Sequence, residues 1–233
     1  DKTSEFTKIN VVLDAESQSE EAYAILGDLR DAVKKVDGAD ALVGGQDAQA
    51  LDVKNAYAHD QGLVIPMILA LVFIVLVLLL RAFVAPVLLL ATVVASFFAS
   101  MGLGWLLFTN VFGFPGLDLS VFLYSFLFLV ALGVDYNIFL VTRAKEEAAH
   151  LGVKQGMIKA LSSTGGVITS AGILLAAVFA VLGVLPLVAL AQIGVIVCIG
   201  VLLDTLLVRT VIVPALGFMT KKQFFWPAKG YKN

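Results

Sequence analysis

The feature that most constrains the fold is a set of long stretches without a charged residue. Residues 160–203 contain 44 consecutive uncharged residues, and residues 82–108 contain 27. A helix needs about 20 mostly apolar residues to cross a bilayer. The longer stretch is therefore expected to hold two spans, broken at Gly183–Pro186. These runs predict a chain that folds as membrane-crossing helices.

The same criterion predicts five spans in all. Their approximate bounds are 62–80, 82–108, 119–142, 160–182 and 187–208. The composition agrees, since 60% of the chain is hydrophobic and only 15% is charged. An ordinary soluble domain has about 45–50% apolar residues. We therefore exclude a disordered chain, a nucleic-acid binder and a soluble enzyme.

Basic residues predict how the spans are oriented. Short loops rich in Lys and Arg mark the cytoplasmic side of a membrane protein. The bases fall in alternate connections and after the last span: Arg81; Arg143, Lys145, Lys154 and Lys159; then Arg209, Lys221, Lys222, Lys229 and Lys232. This alternation predicts an extracytoplasmic segment 1–61 and a cytoplasmic C-terminus.

Two cytoplasmic segments follow from this topology. The connection 143–159 reads as a helix lying on the membrane surface, with a solvated loop as the alternative. Residues 220–233 read as a basic and aromatic tail, in which residues 224–227, FFWP, form an interfacial anchor. Residues 62–219, which include the connection 143–159, are assigned to the membrane domain.

The external segment predicts a small α+β unit. Residues 7–13 and 39–43 resemble strands, 18–36 has helical spacing with one apolar face, and 47–60 reads as a second helix. Two strands and one amphipathic helix bury too little surface to be stable alone. We therefore expect partner strands upstream, which makes the chain part of a longer protein; a short independent cap domain is the alternative. The expected fold class is an all-α polytopic bundle of five transmembrane helices with this small α+β unit.

Motifs for enzymatic chemistry are missing from the sequence. It contains no phosphate-binding Gly-x-x-x-x-Gly-Lys-Ser/Thr loop, no Gly-x-Ser-x-Gly and no His-Glu-x-x-His. His59 and His150 lie at opposite ends of the predicted topology, and Cys198 is the single cysteine. We therefore expect no catalytic residues, no cofactor and no metal site.

Asp135 is the residue that most suggests a function. It lies eight residues before Arg143 in the third span, which is about 12 Å along a helix. An Asp near a helix centre costs ~2.5–3.5 kcal/mol on insertion scales, so it is expected to face the bundle or an aqueous path. A carboxyl in that position can carry a proton. The alternative is a permanently neutral Asp135 that only fixes helix packing.

Other polar residues could support such a site. Tyr136 and Asn137 follow Asp135 directly, and Thr164, Thr169 and Ser170 of the fourth span could lie beside it. The small residues Ser162, Gly166 and Ser170 predict tight helix packing.

A second acidic residue, Asp204, lies near the cytoplasmic end of the fifth span. A structural role is favoured for it. Arg209 lies about 140° away around an α-helix, so we expect Arg143 of another helix to be the better partner.

Several stretches resemble the MMPL family (mycobacterial membrane protein large) of the RND transporter superfamily. They are ADALVGGQDAQALDV, LLLRAFVAPVLLLATVV, FGFPGLDL, FLFLVALGVDYNIFLVTRAKEEA, TGGVITSAGILLAA, LPLVALAQIGVIVCIGVLLDTLLVRT and VPAL. The FFWP tail is similar to the Trp-Trp-Pro ending of that family. GVDYN followed by TGGVITSAG is the most specific pair, and the likeness covers nearly the whole chain.

The resemblance implies a transporter with twelve spans in two halves and two porter domains. This chain would supply a porter-domain remnant and the eighth to twelfth spans, with the missing N-terminal half as its partner. Asp135 and Tyr136 would be half of a proton relay that drives export of lipids or other hydrophobic molecules across a bacterial plasma membrane. A structural or receptor-like membrane domain, in which Asp135 only fixes packing, remains the alternative.

Overall fold

A computed structural model describes residues 7–38, 40–114 and 116–227 of the 233-residue chain. The α-helices are α1 (Glu20–Lys34), α2 (Gln46–Leu80), α3 (Val84–Leu107), α4 (Leu119–Leu151), α5 (Val153–Leu182), α6 (Val188–Leu203) and α7 (Val213–Thr220). A π-helical turn, Phe108–Phe112, extends α3. The π segment, Asp204–Ile212, joins α6 to α7, and a 3₁₀ turn, Lys221–Phe225, follows α7.

Five of these helical stretches are long and apolar enough to cross a membrane, counting only the described residues. They are Gln46–Leu80, Val84–Phe112, Leu119–Leu151, Val153–Leu182 and Val188–Phe225. The prediction of five long apolar helices is thereby confirmed. Helices form here because the bilayer interior offers no water to backbone N–H and C=O groups, and a helix satisfies those groups within one segment.

Capping residues and glycines set the helix ends. Ser19 begins α1 by accepting a hydrogen bond from the Ala22 N–H at 3.1 Å. Asp118 begins α4 in the same way, from the Ser120 N–H at 2.9 Å. Such caps satisfy N–H groups that have no partner within the helix. Gly113 and Gly152 end helices with φ of 66° and 81°, a region that glycine enters without steric cost.

The α+β prediction for the external segment is not borne out. The described residues contain no strand, and residues 7–13 and 40–43 have no regular secondary structure; Ala39 lies outside the described residues. Ile9, Val12 and Leu42 are at least 80% exposed. Alternating apolar residues form a strand only where a neighbouring strand completes the ladder, and the described residues provide no such neighbour.

Residues 143–159 also differ from the sequence-based reading. Instead of a surface helix or a loop, they form the end of α4, a one-residue break at Gly152 and the start of α5. Gly152 lies at this turn, and its positive φ of 81° redirects the chain. The two helices therefore continue beyond the uncharged runs.

The chain divides into two compact units between Gly62 and Leu63. In the first unit, α1 and the start of α2 are joined by polar contacts. Arg30 donates to both carboxylate oxygens of Asp52, at 2.5 and 2.8 Å, and Ser17 donates to Asp47 at 2.5 Å. Bidentate geometry makes the Arg30–Asp52 contact the most specific of these.

The second unit is built around α6, which packs against α3, α4 and α5. Phe97 of α3 contacts Phe122 and Phe126 of α4 edge to face, with ring centroids 5.2 Å apart in both pairs. Glycines let the helices come close. A Cβ at Gly104 would be 2.7 Å from Ile196 Cγ1, and one at Gly194 would be 2.7 Å from the Phe179 carbonyl oxygen.

Two polar side chains form hydrogen bonds at opposite ends of this unit. Gln192 of α6 is fully buried; its side chain accepts from the Asp118 N–H at 2.9 Å and donates to the Gly116 carbonyl at 2.7 Å. At the other end, Lys145 donates to the Leu80 carbonyl at 2.6 Å. This bond satisfies a carbonyl that the end of α2 leaves without a helical partner.

The aromatic tail lies partly in the core. Phe224 and Phe225 are fully buried, whereas Trp226 is exposed and its carbonyl accepts from the Phe83 N–H at 2.8 Å. The sequence reading of this run as an interfacial anchor is therefore wrong for the two phenylalanines. The 3₁₀ turn after α7 brings them against α3 and α5.

Gly156→Ala is expected to destabilise the second unit by about 1–3 kcal/mol, as overpacked cores do. A Cβ there would lie 2.5 Å from the Ala148 backbone nitrogen and 3.0 Å from the Ala144 carbonyl oxygen, and backbone cannot swing away. Denaturation of the detergent-solubilised chain measures the effect. The matched control on the same helix is Gly166→Ala, whose Cβ meets nothing within 4 Å. Equal stability of the two variants would contradict the close α4–α5 approach.

Candidate functional site

A buried ion pair lies in the middle of the fifth apolar stretch. Asp204 and Arg209 both lie in the π segment and form a charge-assisted hydrogen bond through one carboxylate oxygen and one terminal guanidinium nitrogen. The two residues are 6% and 1% exposed. Carboxylates and guanidinium groups are almost never this buried unless they are paired.

The π segment explains why this pair forms. In an α-helix, residues five apart point in different directions, whereas a π-helix joins residue i to residue i+5 through its backbone hydrogen bonds. This corrects the sequence-based preference for Arg143 as the partner of Asp204. Arg143 instead contacts Glu146 at 2.9 Å and Glu147 at 2.7 Å, near the end of α4.

Tyr136 of α4 covers the buried pair. The guanidinium carbon of Arg209 lies 4.7 Å from the centroid of the Tyr136 ring, within the range of a cation–π interaction. Gly133, one turn earlier on the same face of α4, makes room for this contact. A Cβ at Gly133 would lie 3.3 Å from Val93 Cγ2 and 3.8 Å from Asp204 Oδ1.

A small cavity adjoins Asp204 and Tyr136. Its volume is about 10 Å³, and its walls include Ser96, Gly133, Tyr136, Gly200, Asp204 and Thr205. A cavity of roughly 10–15 Å³ on this measure holds one water molecule when polar groups line it. The site therefore has space for one small polar species beside the ion pair.

Several polar atoms at the site have no protein partner within the described residues. They are Asp204 Oδ1, Thr205 Oγ1 and the Nε and Nη1 atoms of Arg209. Buried polar groups in proteins are nearly always hydrogen-bonded. This cluster therefore has unused hydrogen-bonding capacity on both the acceptor and the donor side.

Asp135 is not part of this cluster. It is exposed on the surface of the described chain and has no hydrogen bond or ion pair with any described residue. It belongs to an exposed strip along α4 with Tyr124, Phe128, Ala131 and Phe139. Adjacent residues on a helix point about 100° apart, which explains how Tyr136 joins the buried pair while Asp135 faces outward.

The other predicted supporting residues also lie apart from Asp135. Asn137 is fully buried, and neither of its side-chain polar atoms has a partner among the described residues. Thr164 donates to the Ala160 carbonyl at 2.8 Å and Ser170 donates to the Val167 carbonyl at 2.9 Å, so both hydroxyls bond their own helix. Thr169 is half-buried. None of these side chains hydrogen-bonds Asp135 in the described chain.

The close approaches of α5 are made at Gly156 and Gly172, and not at Ser162, Gly166 and Ser170. Nothing lies within 4 Å of a Cβ at Gly166, and Ser162 and Ser170 are exposed. Gly172 makes the close approach instead, since a Cβ there would lie 2.7 Å from Thr205 Cγ2. The sequence pattern could not distinguish these positions, because it does not show which turn of α5 meets the π segment.

The described residues hold no group of three or more His, Cys, Asp or Glu side chains that could bind a metal ion. Sequence reasoning also gave no role to Ser96 or Thr205, because single hydroxyl residues are common in membrane helices and carry no spacing signal. The candidate site consists of the buried ion pair and the Tyr136 ring, and Asp135 lies next to Tyr136 on the outer face of α4.

Comparison with known proteins gives a family match over residues 4–233, to the MMPL family. Membrane protein ActII-3 of Streptomyces coelicolor is 52% identical over 219 residues, covering 94% of this chain and 31% of that protein. The apo-petrobactin exporter of Bacillus anthracis is 44% identical over 191 residues, covering 80% and 25%.

A third relative, the sulfolipid-1 exporter MmpL8 of Mycobacterium tuberculosis, is 40% identical over 186 residues, covering 75% of this chain and 16% of that protein. The chain spans less than a third of the length of these relatives.

Removing one member of the buried pair should cost far more than removing an exposed arginine. Arg209→Met leaves Asp204 buried without a countercharge, which typically costs about 3–5 kcal/mol. Adding Asp204→Leu to that variant should restore most of the loss. The free energy of unfolding in detergent, arranged as a double-mutant cycle, measures this coupling.

Arg143→Met is the control, because Arg143 and its partner Glu146 are 44% and 60% exposed, and its second partner Glu147 keeps Lys159 at 3.1 Å. Exposed pairs contribute about 0–1 kcal/mol. A loss in Arg209→Met no greater than in Arg143→Met would show that the π-segment pair does not hold the helices together.

Proposed function

We propose that this chain, which belongs to the MMPL family, is the C-terminal membrane part of an exporter driven by the proton-motive force. Two relatives are named as exporters, one of sulfolipid-1 and one of apo-petrobactin. These cargoes differ in chemistry, so the common element is export. We assign lipids or other hydrophobic molecules as the cargo class of this chain.

The remainder of the transporter is the partner that this chain requires. The relatives are more than three times as long as the segment they share with it. Asp135 and the exposed α4 strip provide a surface that the N-terminal half can cover. In that arrangement, residues 7–61 belong to an extracytoplasmic porter domain whose further elements complete its fold.

The contact of Tyr136 with the Asp204–Arg209 pair, beside the unpartnered Asp135, is the observation that carries the mechanism. Protonation of Asp135 from the outside removes the charge on the outer face of α4. Release of the proton to the inside restores it. Because Tyr136 is the next residue, a change in the position of α4 moves its ring relative to Arg209 and so reaches the π segment.

The driving force for this cycle comes from the membrane potential and the proton gradient. One charge moved through 100 mV provides ~2.3 kcal/mol. In transporters built from repeats, such energy rocks one helix group against another. Coupling through α4 would then pass the movement to the porter domain, where cargo is carried.

The alternative is a structural or receptor-like domain in which Asp135 only fixes packing. A packing role needs a partner, and Asp135 has none among the described residues. Asp135 therefore fixes no helix packing within the part of the chain that the structure describes, and a packing role would have to involve the N-terminal half.

Asp135→Asn in the complete transporter should abolish proton-coupled flux while leaving its thermal stability close to that of the parent. The amide keeps the shape of the carboxyl but cannot exchange a proton. Flux is measured with a pH-sensitive dye in proteoliposomes, with and without an uncoupler, and stability by thermal unfolding.

The control for this substitution is Asp60→Asn, the same change at an exposed position of α2 before its apolar part. It should leave flux unchanged. Normal flux in Asp135→Asn would reject the relay, and a large loss of stability would favour the packing alternative.

The proposed topology places the residues before α2 outside and the C-terminus in the cytoplasm. Val12→Cys should therefore react with a membrane-impermeant maleimide on intact cells, whereas Lys222→Cys should react only after permeabilisation. Both variants carry Cys198→Ser so that the single native cysteine does not contribute. The opposite labelling pattern would overturn the orientation that the basic residues predict.

A further inference from the structure

A second cavity lies between the start of α5 and the end of α7, and it shares no lining residue with the cavity at the ion pair. Its volume is about 360 Å³, and it is lined by Val153, Lys154, Gly217, Phe218 and Lys221. That volume is within the range of small-molecule sites, which begin at roughly 300 Å³. Its lining residues belong neither to the ion pair nor to the exposed strip of α4.

The two lysines of this cavity differ from the other basic residues near it. Arg143 and Lys159 both contact Glu147, at 2.7 and 3.1 Å, so their charges are balanced within the protein. Lys154 and Lys221 are exposed and form no ion pair or hydrogen bond within the described chain. The cavity thus carries two positive charges and no acidic wall residue.

Both lysines of the cavity lie beyond the end of an uncharged helical segment. Lys154 precedes the uncharged run that starts at Ala160 by six residues, or about 9 Å of helix. Lys221 directly follows the uncharged residues 210–220. The interfacial zone of a bilayer adds roughly 5–8 Å to each side of the hydrocarbon core. Both ammonium groups therefore lie at the border of an apolar segment.

The walls of the cavity are chemically mixed. Val153 and Phe218 give it an apolar side, and the two lysines give it a cationic side. Gly217 keeps α7 close to α5, because a Cβ there would lie 2.8 Å from Met157 Cε. A free inorganic anion would use only the lysines. A phospholipid uses both kinds of wall, with its phosphate on the ammonium groups and the start of its acyl chains on Val153 and Phe218.

We propose that this cavity binds the phosphate headgroup of an anionic phospholipid, held by Lys154 and Lys221. Basic pockets between membrane helices bind such headgroups through the same combination of charge and interfacial depth. The bound lipid joins α5 to α7 at the end of the bundle. Its assignment to the cytoplasmic leaflet rests on the topology proposed above, whereas the site itself does not.

Native mass spectrometry of the complete transporter in detergent, titrated with phosphatidylglycerol and separately with phosphatidylcholine, tests the proposal. Phosphatidylglycerol should bind more tightly. Replacing one lysine, as Lys154→Gln or Lys221→Gln, should weaken its binding about fivefold, and replacing both about 30-fold, from the usual contribution of a lysine at an anionic membrane surface. Lys154→Arg with Lys221→Arg should retain binding.

The matched control is Lys222→Gln, which removes the same charge next to Lys221 from a residue that does not line the cavity. It should leave binding unchanged. If Lys222→Gln weakened phosphatidylglycerol binding as much as Lys221→Gln, the effect would come from general surface charge, and the proposed site would be rejected. Equal binding of both lipids would overturn it as well.

Two further measurements distinguish a phospholipid from free phosphate, and the lipid site from the proton relay. Competition by inorganic phosphate at millimolar concentration, without any lipid preference, would overturn the lipid assignment. Asp135→Asn should bind phosphatidylglycerol like the parent. Loss of flux in that variant, or its retention, therefore bears on the relay alone, and failure of the lysine variants bears on the lipid site alone.

Discussion

The membrane part of this protein depends on the burial of one ion pair. Asp204 and Arg209 lie in a stretch that is otherwise almost entirely apolar, and both are shielded from solvent. Placing two charges in such surroundings costs several kcal/mol per ion unless geometry and hydrogen bonds offset it. The π segment provides that geometry by bringing residues five apart together. Its local change of helical pitch is therefore tied to the presence of the pair.

The helices around the pair are arranged to accept it. Gly133 lets α4 approach Asp204, Gly172 lets α5 approach Thr205, and Tyr136 covers the guanidinium group. Each contact uses either the absence of a side chain or an aromatic face. A change in the position of the pair would displace α4 and α5 together, because tightly packed interiors have low compressibility and transmit strain. The site is thus suited to transmit a small displacement across three helices.

Features that arise from the bilayer could be predicted from the sequence, whereas features that arise from contacts between particular residues could not. The spans were predictable because the bilayer acts on every residue and leaves long uncharged runs in the sequence. The Asp204–Arg209 pairing was not, because the angle between positions was computed for an α-helix and the local pitch is different. The burial of Phe224 and Phe225 was missed for a related reason: hydropathy alone does not separate an aromatic residue in the core from one at the interface. The expected strands depended on partners that a pattern within one segment cannot supply.

The outward position of Asp135 follows from the same geometry that buries Tyr136. Two neighbouring residues on α4 cannot both face the π segment, so the phenol ring and the carboxyl are divided between two surfaces. A carboxyl at that depth costs ~2.5–3.5 kcal/mol against lipid, and a helix can hold it there when another polar surface covers it. In the proposed transporter that cover comes from the N-terminal half. In that arrangement the proton binds a carboxyl that lies between the two halves of the transporter. The charge of that carboxyl then acts directly on the separation of the halves. In that proposal, movement is produced where the two halves meet, while the contacts around the buried ion pair hold α4 and α5 against the π segment.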